Sequence, residues 1–500
     1  MGKRLIRAVI CVCLLLALAH AGMGQGAGAK TGDDREYPHI IVTYQYLEHS
    51  NQSRMEEVTE AVNAISRSEI GVEIEFKFVN ALDSFTDYPV WLSKGEPIDL
   101  MLLNYQNIRS YVDRDMLLPL DGLLEEYGAD IGAICRTERN LYSGTVIDGK
   151  IYGCGIHSYS NASGGGLWIA EDYLAEIAFP YEKEHIYSME ELDILFARLK
   201  EEYPDRYPLG QITAGNAFTT AGYYGQTPLA VGGDMVSGVL EGERVCDFFE
   251  SDAYYEFLRY MRKWYMKGYI YPEAAYTDAS NMELLREGIT MSFPSGSQPG
   301  MITEEQIPNA VCLRTSAVTY GNESSSTGIF WTVPSTAREP EAAMKFLNLM
   351  YSDARIVNLL RYGIEGKDYV LADEAQGTIA YPQDADGQRY YNDLGVYGNL
   401  TLAYEPEGMD YREEREEYFK SALLVGEEYE GFLFDTAKVE LCTSRVQEVL
   451  RSYLPVLESG SIPLAGNYEQ FVNALREAGI DELVEEKQRQ LDAWLAQKPE

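Results

Sequence analysis

Histidine and cysteine are scarce in this 500-residue chain, and neither falls into a pattern that chemistry commonly uses. Beyond the first twenty-one positions the histidines are His39, His49, His157 and His185, scattered and lacking an H-E-x-x-H pair. G-x-S-x-G is also missing, and the glycines Gly164 to Gly166 lack the Lys-Ser/Thr of a phosphate loop. A zinc peptidase, a hydrolase nucleophile elbow and a nucleotide-binding loop are thereby excluded. Cys135, Cys154, Cys246, Cys312 and Cys442 are far apart, odd in number and without a C-x-x-C pair, so neither a disulfide framework nor a zinc site is indicated. Asp384-x-Asp386-Gly387 has part of the spacing of a calcium loop, but Pro382 occupies the first ligand position and no Glu fills the last, so it reads as a turn. No metal or cofactor is expected, and no repeat of 20 to 50 residues is visible.

Positive charge is the next shortage. Lys and Arg number 41 against 79 Asp and Glu, a net charge of −38. Such a surface repels nucleic acid and anionic lipid, so nucleic acid is not an expected partner. The one long apolar run, Ala8 to Ala19, follows Lys3, Arg4 and Arg7 and ends at Ala19-His20-Ala21. It is short for a membrane span and has the order of an export signal, with residues 1–21 removed and the mature chain starting near Gly22. Loss of those three basic residues moves the net charge to −41. Retention as an anchor is the alternative; neither Cys11 nor Cys13 is placed as a lipid-attachment cysteine.

The 46% hydrophobic content over this length suffices for more than one core. Residues 22–36 read as a flexible leader. Ile40 to Tyr46 then reads as a strand, followed by a helix opened by a Ser53-x-x-Glu56 capping box, with Met55, Val58, Val62 and Ile65 on one face. Gly71 ends it, and Val72, Ile74, Phe76 and Phe78 alternate with charged residues in a half-buried strand. Ile98 to Leu103 is a third strand, ending in Asn104-Tyr105. This order predicts a βαβ sheet. Downstream, Leu167 to Ala170, Ile289 to Phe293 and Gly328 to Val333 read as strands, with Pro294 to Gly300 a loop. Helices are expected after the Ser188-x-x-Glu191 box, around Phe257 to Tyr265 closed at Gly268, from Pro340, and in three pieces from Thr436 to Gln497. Between the two halves, His157 to Gly166 is a Ser/Asn/Gly-rich connector, and Gly164, Gly165 and Gly166 are the expected hinge.

Several stretches then carry a family resemblance. Gly95-Glu96-Pro97-Ile98-Asp99-Leu100, Leu118-Pro119-Leu120-Asp121 and Asp148-Gly149-Lys150-Ile151-Tyr152-Gly153 resemble the family 1 extracellular solute-binding proteins of ABC importers. Pro340 to Asn348, Tyr362 to Tyr369, Gly398-Asn399, Gly431 to Asp435 and Gln488 to Trp494 are similar to the LipO-like branch, in order and spacing through most of the mature chain. The resemblance implies the two-lobed α/β type II periplasmic-binding-protein fold with hinge crossings and a helical C-terminus. It also implies a monomer that captures a small solute, commonly an oligosaccharide, for an ABC permease. Relatives in this branch are usually lipoproteins, so the missing lipid-attachment cysteine is a departure. Lobe 1 is expected from 37–158 with about 332–395, and lobe 2 from 159–331 with about 396–500.

Ligands of open α/β sheets lie beyond the carboxyl ends of the strands. That rule selects Tyr44, Tyr46, Asn104, Tyr105, His157, Tyr159 and Asn161 from the first half, Gln211, Phe293 and Ser295 from the second, and Trp331 at the second crossing. Aromatic rings and amides suit sugars, which present C–H faces and hydroxyls. A secreted glycan-active hydrolase or lyase is the alternative, requiring a carboxylate pair in the cleft.

Overall fold

The computed structural model describes residues 37–496 except 48–49, 105–107, 138–139, 143, 159–161, 211–226, 229–238, 242–243, 278, 303–305, 317–319, 322–328, 383–388, 391, 393, 395–396, 410, 422–431 and 433. The alternating run at the start forms β1 (His39–Tyr46), then α1 (Met55–Glu69), β2 (Glu73–Asn80), α2 (Ser84–Ser93) and β3 (Met101–Asn104). β1 and β2 are parallel, with Tyr46 opposite Asn80. β3 joins them through the parallel bridge Val42–Leu100. Helix α1 starts at Met55 with Arg54 at its N-cap, one position later than the expected Ser53 capping box would start it. The Asn51 Oδ1 accepts the Ser53 amide at 3.0 Å in an Asx turn that precedes the helix. Gly71, at φ 66°, then releases the chain into β2.

After β4 (Cys154–Gly155) the chain leaves this sheet, forms β5 (Ala162–Ser163) and starts a second sheet with β6 (Gly165–Ala170). Next come α3 (Met189–Glu202), β7 (Tyr207–Leu209), α4 (Asp252–Met266), α5 (Asn281–Arg286), β8 (Thr290–Gly296) and β9 (Ala310–Arg314). Their order is β9-β6-β8-β7. The Ser188–Glu191 capping box predicted for α3 is present in full. The expected loop from Pro294 begins later, because Pro294 pairs with Leu167 inside β8. Its missing N–H is tolerated there, since the parallel neighbour β7 ends at Leu209, opposite Ser292.

The chain returns through β10 (Tyr320–Gly321) to β11 (Ile329–Thr332), which lies antiparallel between β3 and β4. Pro340 then opens α6 (Pro340–Ser352), followed by α7 (Ala354–Tyr362). After α8 (Arg412–Ser421), the tail is helical in three pieces: α9 (Glu440–Glu458), α10 (Asn467–Ala478) and α11 (Ile480–Leu495).

Two large cores result. One gathers Ile40, Val58, Ile74, Leu102, Ile156, Trp331, Phe346, Met350 and Tyr397, from positions before 157 and after 328. The other gathers Leu167, Ile169, Phe196, Trp264, Met291 and Leu313 with Phe432, Val446, Leu457, Phe471 and Leu483 of the tail. The C-terminal helices therefore pack on the second core. The five cysteines past the leader are free thiols, and among the described residues no helix is long and apolar enough to cross a membrane.

Candidate functional site

Strand direction fixes which edges of the two sheets face the crossings. β1, β2 and β3 run in parallel, and β4 runs with them because β11 is antiparallel to both β3 and β4. Their carboxyl ends, at Tyr46, Asn80, Asn104 and Gly155, thus share one edge. The first crossing leaves from that edge after β4, and the second returns to it at Ile329, opposite Asn104. In the second sheet β6 is antiparallel to β8 and β9, so its entering end at Gly165 and Gly166 lies beside Ser295, Gly296 and Arg314. Leu209 and Gly210, at the end of β7, emerge on the same side.

The crossings are tied to one another. β5 and β10 pair antiparallel, Ser163 opposite Tyr320, so the first two run as a ribbon. His157 donates its amide to the Gly398 carbonyl at 3.1 Å and accepts from the Leu400 amide at 2.8 Å, which joins the start of the first crossing to the segment leading to the third. Gly398 is required there: it sits at φ +63°, and a Cβ would lie 2.2 Å from the Met350 carbonyl oxygen. Helix α8, on the third crossing, touches both sides. Its Arg415 donates to Glu405 at 2.8 Å and to the Pro299 carbonyl at 3.2 Å, and its Tyr418 hydroxyl accepts from the Gly164 amide at 3.0 Å and pairs with the Ser297 hydroxyl at 2.7 Å.

The glycines expected as a hinge are placed differently. Gly165 and Gly166 are ladder residues of β6, an inner strand of the second sheet, and Gly164 is bonded to Ser297 and Tyr418. A Cβ on Gly166 would stand 2.3 Å from the Cys312 sulfur, so this glycine serves close strand packing. Local composition cannot separate that role from flexibility, because both select residues without side chains.

Of the sequence-selected binding residues, Tyr46, Asn104, His157 and Ser295 stand at the two facing edges. His157 is buried within the crossing bridge. Tyr105, Tyr159, Asn161 and Gln211 lie outside the described residues. Tyr44, Phe293 and Trp331 are core side chains. Tyr44 is stacked on Tyr397 at 5.6 Å, edge-on to Phe76 at 5.6 Å, and its hydroxyl pairs with that of Tyr390. Burial holds the Tyr390 and Tyr397 hydroxyls well above the usual phenol range, so this cluster is neutral. Phe293 packs with Trp168, Ile302 and Ile307. Trp331 lies within β11 among the first core's side chains. The strand-end rule chose these three because it locates a residue along the strand but not the face on which its side chain stands.

Exposed rings that the sequence reading passed over stand at the same edges. Phe78 and Phe85 flank the carboxyl end of β2, and Leu82 between them is exposed. Ile270 forms a parallel bridge to Leu209, so the chain after it emerges at the second sheet's facing edge, carrying Tyr276, which is 74% exposed. No periodicity marks so short a strand, which is why Tyr276 went unnoticed. These rings can stack on the C–H faces of an uncharged polyol. Among the described residues no group of three or more His, Cys, Asp or Glu could hold a metal ion.

Comparison with known proteins agrees with this geometry. Residues 428–496 match a domain of unknown function, DUF3502. The chain is 21% identical over 483 residues to a carbohydrate ABC transporter substrate-binding protein of Streptococcus pneumoniae serotype 4, spanning 94% of this chain and 93% of the relative. Among solved structures, an N-glycan transport solute-binding protein from Streptococcus pneumoniae superposes with a TM-score of 0.75 at 20% identity, covering 92% of this chain and 100% of that one. Its complex with Man1GlcNAc gives 0.66 at 18% identity, with the same coverage. Its complex with Man5GlcNAc gives 0.62 at 19%, covering 93% and 100%. An extracellular solute-binding protein from Bifidobacterium longum subsp. infantis gives 0.67 at 15%, covering 92% and 99%. The chain thus resembles the substrate-binding proteins of carbohydrate ABC transporters along nearly its whole length, and it has the two-domain α/β fold of extracellular solute-binding proteins.

Proposed function

We propose that this protein is an exported, non-enzymatic solute-binding protein that closes two lobes on an oligosaccharide and presents it to the permease of an ABC importer. The observation that carries this reading is the geometry of the crossings: two sheets with separate cores turn their crossing edges, beside which Phe78, Phe85 and Tyr276 are exposed, toward three connecting segments. A ligand that touches both edges favours the closed arrangement in proportion to its extra contacts there. Lobe 1 would comprise 37–158 with about 329–406, because Ile329 and Trp331 lie in the first core on a strand paired with β3, Tyr397 packs with first-half side chains, and Ala403 packs with Val357 and Tyr362 of α7. This moves both boundaries expected at 332 and 395. Lobe 2 would hold about 159–328 and the C-terminal helices. The ligand set we propose is Tyr46, Asn104, His157, Ser295, Tyr105, Tyr159, Asn161 and Gln211, with Phe78, Phe85 and Tyr276 added.

The test is thermal unfolding of the chain beginning at Gly22 against a panel of oligosaccharides, followed by analysis of each mixture for products. A binder raises the midpoint by mass action, about 2.7 kcal/mol at a hundredfold excess over Kd. A shift with the glycan recovered intact is expected. A cleaved glycan would support the hydrolase or lyase alternative instead.

A further inference from the structure

Helix α8 ties the two halves of the molecule together at one side chain. The Arg415 Nη1 donates to Glu405 at 2.8 Å and its Nε to the Pro299 carbonyl at 3.2 Å. Glu405 belongs to the first half: its amide donates to the Gly377 carbonyl at 3.1 Å, and its neighbours Ala403 and Tyr404 pack with Val357 and Tyr362 of α7. Pro299 belongs to the second half, in the loop that leaves the end of β8. The ion pair is largely shielded, with 19% of the Arg415 and 12% of the Glu405 side chain exposed, so separating the two leaves poorly hydrated charges. The Pro299 loop lies close on the helix: a Cβ on Gly300, at φ +73°, would stand 2.7 Å from the Arg415 Nη2 and 2.7 Å from the Tyr411 ring. Other bonds hold α8 on each side. Arg412 donates to the Gln376 carbonyl in the first half, and Tyr418 bonds to Gly164 and Ser297 in the second. Rotation of one lobe against the other cannot leave all of these bonds intact.

We infer that Arg415 is a latch: its guanidinium favours the lobe arrangement in which Glu405 and Pro299 both reach it, and so tunes glycan affinity without touching the glycan. The inference rests on the two-lobed binding function proposed above and adds to it the side chain that sets the lobe equilibrium. A guanidinium is a planar fork with fixed N–H directions, so a rotation that moves the Pro299 loop away from Glu405 forfeits one of the two bonds. The lost bond enters the free-energy difference between the arrangements, and apparent affinity scales with the population of the one that binds. That factor belongs to the protein, so it is common to every ligand. A residue that touches the sugar instead changes affinity by amounts that differ between sugars.

R415K and E405Q test this in the chain beginning at Gly22. Lysine keeps a charge beside Glu405 but offers a point charge in place of the fork that holds both acceptors, and glutamine keeps the shape of Glu405 without its charge. Calorimetric titration with mannose-, galactose- and fructose-containing oligosaccharides gives the affinities, small-angle scattering gives the radius of gyration of each glycan-free protein, and the melting midpoint shows that each variant is folded. Each variant is expected to shift Kd by at least about threefold, by one common factor for every glycan bound. The sign follows the scattering: a free radius moved toward the parent's glycan-bound value goes with tighter binding, and one moved away goes with weaker binding. R415K/E405Q should shift Kd no further than the larger single variant, because breaking either half releases the latch. Factors that differ between glycans make Arg415 a ligand contact and overturn the latch, as does an unchanged Kd and radius in folded variants. If no glycan binds the parent, the binding function falls and the free radii alone decide the latch, a change supporting it and no change overturning it.

Discussion

Glu458 is a carboxyl group with no exposed surface, held only by the Tyr254 hydroxyl at 3.2 Å on one oxygen, its other oxygen having no hydrogen-bond partner. Burial pushes it up to about 8, from 4.5 for a free carboxyl. Between those values the unfolded chain has released a proton that the folded chain retains, so stability falls as pH rises through this window. E458Q should remove that slope. Its melting midpoint should match the parent below about pH 4.5 and exceed it by several degrees near pH 8, as read by scanning calorimetry. Asp99 serves instead as a backbone anchor. Its carboxylate accepts the amides of Ile41, Arg338 and Glu339 at 2.8, 2.7 and 2.9 Å, fastening the start of α6 to β1. D99A leaves three backbone amides without their acceptor and should lower stability by about 2 kcal/mol in denaturant titration.

At the scale of elements, the crossings have separate jobs. The Gly398–His157 contact brings two of them together beside α6, and G398A should distort it. A Cβ has no room against Met350 and the backbone is left-handed, so a loss of about 2 kcal/mol or more is expected by thermal unfolding. Helix α8 is a strut whose polar contacts reach lobe 2 through Tyr418 and both sides through Arg415. Y418F removes the bonds to Gly164 and Ser297 without disturbing either core. It should change glycan affinity by a few-fold while moving the melting midpoint by only a degree or two. Unchanged affinity in that variant would remove α8 from the lobe equilibrium.

For the whole molecule, closure on a ligand should shrink the radius of gyration in small-angle scattering, with the glycans of the calorimetric panel producing it. Loss of the C-terminal helices should do more than trim a tail. Leu457, Phe471, Leu475 and Leu483 are fully buried in the second core, so a chain ending near Tyr429 should fail to fold its second lobe and melt at a markedly lower temperature.

Period and punctuation in the sequence were enough to determine the α/β class, the Ser188 cap, the proline-opened α6, the three C-terminal helices and the motif order that matched the importer-associated family. These depend on neighbours a few residues apart, where sterics and hydrogen-bonding capacity are local. Which way a strand-end ring points is decided by what packs on each face. Tyr44 and Trp331 therefore went into cores while Tyr276 came out at the edge. Gly164 to Gly166 read as a hinge because small residues serve flexibility and close packing alike; only the neighbouring Cys312, Ser297 and Tyr418, distant in sequence, decided for packing. The pairing of Arg54 with Asp368, Arg314 with Glu184 and Arg415 with Glu405, across 130 or more positions in the first two cases and 10 in the third, was likewise settled by tertiary structure, because ion pairing depends on distance in space.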